Sequence, residues 1–233
     1  MAYEILKPHQ SRPIRAVLFD MDGLVVDTEK LYARFWMEAC RFYGFPMTFE
    51  QAISMRALNA QLAEAMLKKY FGPEIQYLPT REKRIELMEA YVDEHGVDLK
   101  PGIFELLDYL DAKGIPTAIT SASPIPRIQK YLSKHGLDVR FAALCSGRNV
   151  PRGKPEPDIY LHGAATLGFR PEECLALEDS PSGIRSASSA GCLTVMIPDQ
   201  DQPSEEIKAL LYAKADTLAD VIPLLQNPAK LFP

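Results

Sequence analysis

The chain is poor in the residue types that build metal clusters and disulfide scaffolds. Its 233 residues include four cysteines, four histidines and one tryptophan. Cys40, Cys145, Cys174 and Cys192 form no Cys-x-x-Cys pair, whereas zinc sites usually bring their ligands in closely spaced pairs. So few thiols also argue against a disulfide-stapled secreted scaffold. Cys145, Cys174 and Cys192 stand within or beside apolar runs, where a reduced thiol serves as a small core residue. His9, His95, His135 and His162 are just as scattered. A long apolar run is missing too. The best, Leu193–Ile197, stops at Pro198, far short of the ~18 residues that a bilayer span needs. An excess of positive charge is the last absence: 26 Lys and Arg against 31 Asp and Glu leave a net charge of −5. With no basic block, neither nucleic acid nor an anionic membrane is expected as a partner. Met1 to Pro13 is polar with scattered charges and lacks the apolar centre of a secretion signal, so a cytoplasmic location is expected.

What is present is an ordinary globular composition, 47% hydrophobic and 24% charged. The length suits one large domain, or one domain with a small insertion. Short apolar runs recur at Ala16–Phe19, Thr117–Thr120, Ala142–Cys145, Leu175–Leu177 and Leu193–Ile197. They are nearly continuous and do not alternate, as strands covered on both faces should be. Helical segments with clear punctuation separate the later ones. Pro101-Gly102 opens one with a Phe104, Leu107, Leu110 stripe, and Gly114 ends it. Ser123-Pro124 opens the next as N-cap and first helical residue, and Gly136 closes it. Asp158–Leu167 ends at Gly168, and Ser182–Ala190 ends at Gly191. This alternation predicts an α/β fold with a doubly wound, Rossmann-like parallel sheet.

The stretch 29–96 breaks the rhythm. It holds no convincing strand, and its stripes are helical: Leu31, Phe35 and Ala39; Leu62 and Met66; Ile85, Met88 and Val92. The expected organisation is a core domain over 1–28 and 97–233, interrupted by a helical insertion over 29–96. The tail after Pro223 is expected to be loosely held.

The chemistry gathers at strand exits. The first strand ends in Asp20-Met21-Asp22-Gly23. Two carboxylates two residues apart on extended chain point the same way, and that end of a parallel sheet is where ligands bind. Like charges held close are costly unless something uses them. Glu178-Asp179 leaves another strand, and between these pairs come Ser121-Ala122 before a helix and Lys154 in Gly153-Lys154-Pro155. Gathered carboxylates suit a hard, oxygen-seeking ion such as Mg²⁺. A hydroxyl at a helix start and a lysine suit a phosphate.

Asp20-Met21-Asp22-Gly23 with Asp27-Thr28-Glu29, then Ser121, Lys154-Pro155 and Glu178-Asp179-Ser180, resembles the four-motif signature of the haloacid dehalogenase superfamily. The likeness is to its β-phosphoglucomutase-like sugar phosphatases and runs from about Arg15 to Val221. The resemblance implies a Rossmann-like core with an inserted helical cap and a Mg²⁺-dependent phosphatase acting on a small phosphorylated metabolite. It implies Asp20 as nucleophile, Asp22 as acid and base, and Ser121, the Ala122 amide and Lys154 as phosphate contacts. It implies Asp20, the Asp22 carbonyl, Glu178 and Asp179 around the metal, and a monomer or weak dimer. Asp22 separates the chain from the dehalogenases and phosphonate hydrolases of the superfamily, which lack an acid there. A phosphosugar mutase and a non-catalytic phosphate-binding module are the competing readings. Tyr32 stands where β-phosphoglucomutases carry a histidine linked to gating of the phosphoenzyme, which favours a hydrolase. A binding module would normally have lost Asp20 or Asp22.

In such proteins the cap sets specificity, and a closing cap favours small esters. Ser54-Met55-Arg56 stands where relatives often carry a glycine and a basic residue, which makes Arg56 the candidate contact for a remote polar or anionic group. Remote contacts act on kcat/KM for a substrate that reaches them. Arg56→Ala is therefore expected to lose much of the activity on the best sugar-type ester and to stay within a fewfold of wild type on an aryl phosphate. A parallel loss on both would place Arg56 with the phosphoryl site or with the fold.

Overall fold

The computed structural model describes residues 3–6, 13–55, 58, 60–199 and 202–226. The elements run β1 (Tyr3–Ile5), β2 (Ala16–Phe19), α1 (Glu29–Phe42), α2 (Phe49–Ser54), α3 (Ala60–Phe71) and α4 (Tyr77–His95). They continue as α5 (Ile103–Ala112), β3 (Thr117–Ser121), α6 (Ile125–Ser133), β4 (Ala143–Ser146), α7 (Asp158–Leu167) and β5 (Cys174–Glu178). The last are α8 (Pro181–Ala190), β6 (Leu193–Met196), α9 (Glu205–Lys208), β7 (Ala213–Ala215) and α10 (Ile222–Gln226). The chain divides into two compact units, Met1–Val26 with Leu99–Pro233, and Asp27–Asp98.

The larger unit is built on a seven-stranded sheet in the order β1-β7-β6-β5-β2-β3-β4. All neighbours are parallel except the β1–β7 edge pair. β2 lies between β5 and β3, and all four of its residues are fully buried. Burial on both faces is why its sequence is a continuous apolar run. Register then places the strand exits. Phe19 stands opposite Leu177 on β5 and Ile119 on β3, so Asp20 leaves the sheet beside Glu178 and Thr120. Ser121 pairs with Ser146 at the end of β4. A one-residue slip would turn each of these side chains to the other face.

The smaller unit is helical among its described residues. Ala33, Trp36, Cys40, Met47, Ala52, Ala63, Leu67, Ile75 and Tyr77 form its core. Thr48 and Gln51 close a reciprocal capping box at the start of α2, which satisfies two backbone donors that a helix start leaves open. Arg84 is buried in α4, with its guanidinium over the rings of Tyr32 at 4.6 Å and Trp36 at 5.3 Å. The stacking lets a cation sit inside an aromatic wall.

Several local expectations are corrected. Phe104 and Leu62 are exposed; α5 buries the expected Leu107 and Leu110 together with Ile103 and Leu106, and α3 buries Ala63 and Leu67. In α3 the buried face is rotated by one residue from the stripe that the spacing suggests, whereas in α5 the stripe keeps its place and only Phe104 lies off it. The short strands β1 and β7 were not foreseen. β1 is only half-buried and β7 is three residues long, too little periodicity to stand out. Beyond Pro223 the chain continues as α10 to Gln226, with Leu224 buried, which corrects the expected loose tail over these residues; the rest of that tail lies outside the described residues.

Candidate active site

Asp20 follows β2 directly, and its amide still bonds the Leu177 carbonyl at 3.0 Å. Its side chain is 9% exposed. Glu178, the last residue of β5, is wholly buried, and Asp179 follows it. One carboxylate oxygen from each of Asp20, Glu178 and Asp179 lies within 4.8 Å of the others. Three acids so close and so little solvated need a counter-charge.

Lys154 supplies it. Its ammonium lies 2.5 Å from Asp20 Oδ1 and 2.5 Å from Glu178 Oε1, so one cation bridges two buried carboxylates. The Tyr160 hydroxyl of α7 donates to the same Glu178 Oε1 at 2.5 Å. On the other oxygen, Oε2, Glu178 accepts from the Ser180 hydroxyl at 3.2 Å and its amide at 3.4 Å. Ser180 also caps α8, accepting from the Gly183 amide at 3.2 Å. A Cβ at position 183 would overlap the Glu178 carboxylate. Glycine is a poor helix residue, by about 1 kcal/mol against alanine, and here it leaves the space that the carboxylate fills.

Asp22 is held from the next strand. Its Oδ2 accepts from Ser123 Oγ at 3.0 Å and Ser121 Oγ at 3.3 Å. Ser121 Oγ in turn accepts from the Ser123 amide at 3.0 Å. This corrects the reading of Ser123 as an N-cap: Pro124 holds that position without a side-chain cap bond. The Ser123 hydroxyl instead donates to a charged acceptor, a stronger bond than one between neutral groups. Ser146 Oγ donates to the Ser123 carbonyl at 2.7 Å and fixes the loop from the β4 side. A cavity of about 300 Å³ opens here, lined by Ala122, Gly147, Arg148, Gly153, Lys154 and Ile159.

The fold thus brings Asp20, Asp22, Ser121, Ala122, Lys154, Glu178 and Asp179 to one end of the sheet. Arg56 lies outside the described residues. Sequence reasoning missed Tyr160, Gly183 and the Asp22-directed role of Ser123. A glycine in the first turn of a helix was the one usable signal, since helices disfavour it there without a packing reason.

The charges perturb one another. Burial pushes Asp20 up, the Lys154 ammonium pulls it down, and the Glu178 and Asp22 carboxylates add to the rise, leaving it at about 7. Burial alone would lower Lys154, but Asp20 and Glu178 outweigh it and hold it well above the ordinary lysine range. Between about pH 4 and pH 7 the folded metal-free chain keeps a proton on Asp20 that the unfolded chain has released, so stability falls as pH rises through that window. The limiting slope is about 1.4 kcal/mol per pH unit. Thermal melts in chelator should show this decline in the wild type and a flatter profile in Asp20→Asn. Parallel profiles would exclude Asp20 as the origin.

The family model of haloacid dehalogenase-like hydrolases matches residues 14–191. Hexitol phosphatase A of Escherichia coli is 34% identical over 209 residues, covering 85% of this chain and 91% of that protein. Beta-phosphoglucomutase of Bacillus subtilis is 28% identical over 198 residues, covering 82% and 85%. Among solved structures, a haloacid dehalogenase-like protein of unknown function from Agrobacterium tumefaciens superposes with a TM-score of 0.78 at 24% identity, covering 93% of this chain and 99% of that one. That last likeness speaks for the fold. The chain belongs to the haloacid dehalogenase-like hydrolase family, as an enzyme of the phosphoric monoester hydrolase class.

Proposed function

We propose that the chain is a Mg²⁺-dependent phosphatase of small phosphorylated carbohydrates that works through an aspartyl phosphate on Asp20. The observation that carries the reading is the bridge of Lys154 between Asp20 and Glu178, with Asp22 and Asp179 at the same sheet end. The resemblance to a hexitol phosphatase supports the carbohydrate class. The beta-phosphoglucomutase relative keeps a mutase as the alternative. Tyr32, in place of the mutase histidine, favours water as the final acceptor.

The donor set fits Mg²⁺, since all three converging groups are hard carboxylate oxygens. Asp20, Asp179 and the Asp22 carbonyl would hold the ion. Glu178, whose two oxygens already accept protein hydrogen bonds, would reach it through water. When bound, the metal supplies positive charge that offsets repulsion between the phosphoryl oxygens and the attacking carboxylate.

The rest of the chemistry belongs to the chain. Asp20 attacks phosphorus, which divides one difficult displacement into two easier ones. Asp22 protonates the departing alkoxide and then takes a proton from the water that attacks the aspartyl phosphate. The serine bonds to Asp22 Oδ2 set the direction of that carboxyl group. The Ala122 amide and Lys154 stabilise the phosphoryl oxygens as charge shifts between them, and the Ser121 hydroxyl joins them when it turns from Asp22.

Turnover of an aryl phosphate and of sugar and polyol phosphates should require Mg²⁺. It should vanish in Asp20→Asn and fall by at least about 100-fold in Asp22→Asn, the scale of a lost general acid. Full turnover in EDTA, or by Asp20→Asn, would sink the mechanism.

A melt series tests the metal site separately. Mg²⁺ at a hundredfold excess over its Kd should stabilise the folded state by about 2.7 kcal/mol. The rise in Tm should appear in the wild type and largely disappear in Asp179→Ala. An equal rise in both would put the metal elsewhere.

A further inference from the structure

The short helical turn Gly147–Asn149 after β4 has no role in the chemistry above, yet it lines the same cavity as Ala122 and Lys154. Its position is built. The wholly buried Ser146 accepts from the Arg148 amide at 3.1 Å while donating to the Ser123 carbonyl, so one hydroxyl ties this turn to the loop that orients Asp22. Gly147 lies close enough that a Cβ there would sit 3.3 Å from the Ala122 Cα, tighter than ordinary contact. The turn is held directly against the Ala122 segment.

Arg148 is carried on that turn, and its guanidinium engages none of the described residues. Other arginines of the unit are: Arg140 pairs with Asp108 and Asp111, Arg152 with Glu156 and Asp158, and Arg185 with Glu206. Arg148 makes no side-chain hydrogen bond or ion pair with the described residues. It is also exposed, whereas the side chains of Asp20 and Lys154 are 9% and 10% exposed. That gradient puts Lys154 at the floor of the cavity and Arg148 at its rim. If Lys154 and the Ala122 amide hold the transferring phosphoryl group as proposed above, the rest of the ester lies along this cavity toward Arg148.

We propose that Arg148 is a specificity residue that pairs with a second anionic group on the substrate, a carboxylate or a further phosphate remote from the ester that is cleaved. The proposal rests on the phosphatase reading and narrows it to doubly anionic sugar esters. A guanidinium fork suits this task, because it meets carboxylate or phosphate oxygens through two parallel N–H bonds.

The test uses a hexitol 6-phosphate and the matching 6-phosphohexonate, which differ only in a terminal hydroxymethyl or carboxylate group. The ratio of kcat/KM for the acid over the polyol is measured with Mg²⁺ for wild type, Arg148→Ala and Arg148→Glu. Loss of a charge-assisted contact should lower the ratio about tenfold or more in Arg148→Ala. Repulsion should lower it further in Arg148→Glu. An unchanged ratio in both variants overturns the proposal, whether the two activities stay level or fall together. A wild type inactive on both esters and on an aryl phosphate overturns the phosphatase reading itself, a result visible before any substitution is made.

Discussion

A buried ammonium shared between two buried carboxylates is the constraint around which this site is arranged. Lys154 touches Asp20 and Glu178 together, and none of the three is well solvated. Removing one member of such a cluster leaves uncompensated charge, at a cost of about 3–5 kcal/mol. The surrounding residues complete the set of bonds that makes the cluster tolerable. Tyr160 and Ser180 donate to Glu178, and the missing side chain at Gly183 leaves room for its carboxylate. These groups come from α7, the β5 exit and α8, so the electrostatics of the site also fasten two helices to the sheet.

The parallel sheet explains why the cluster can exist there. β2 runs between β5 and β3, and its carboxyl end lies level with theirs. Chain connections leave that end in different directions, which opens a crevice where side chains from several strands meet. Asp20 and Asp22 come from one strand exit, Ser121 and Ser123 from a second, Glu178 and Asp179 from a third. The turn that bears Arg148 comes from a fourth, and Lys154 follows it. Separate exits let the acids on one side and the hydroxyls on the other be placed independently.

The two acids of the first motif have different surroundings. Asp20 is packed against Lys154 and Glu178, and burial dominates its ionisation. Asp22 faces hydroxyls, with two serines donating to one of its oxygens. Chemistry that needs one carboxylate to attack and another to exchange protons is served by this division, since environment and not residue type separates the roles.

Much of this was legible in the chain itself. Buried strands read as unbroken apolar runs because both of their faces are covered. The acids at their ends stood out because an apolar strand has no reason of its own to finish in paired carboxylates. The helices of 29–96 showed in their spacing, although the face of α3 came out one residue away, because which neighbours cover a helix is not written within it. Only tertiary structure decided the rest. Ser123 had every local reason to cap a helix and instead serves Asp22, a residue 101 positions away. Gly183 is explained by Glu178, Tyr160 by the same carboxylate, and the edge strand β1 by its pairing with β7 across the whole chain. Local pattern reports which surfaces must be buried and which charges are unusual. Which partner satisfies each of them depends on contacts between distant segments, and those exist only once the sheet has assembled in register.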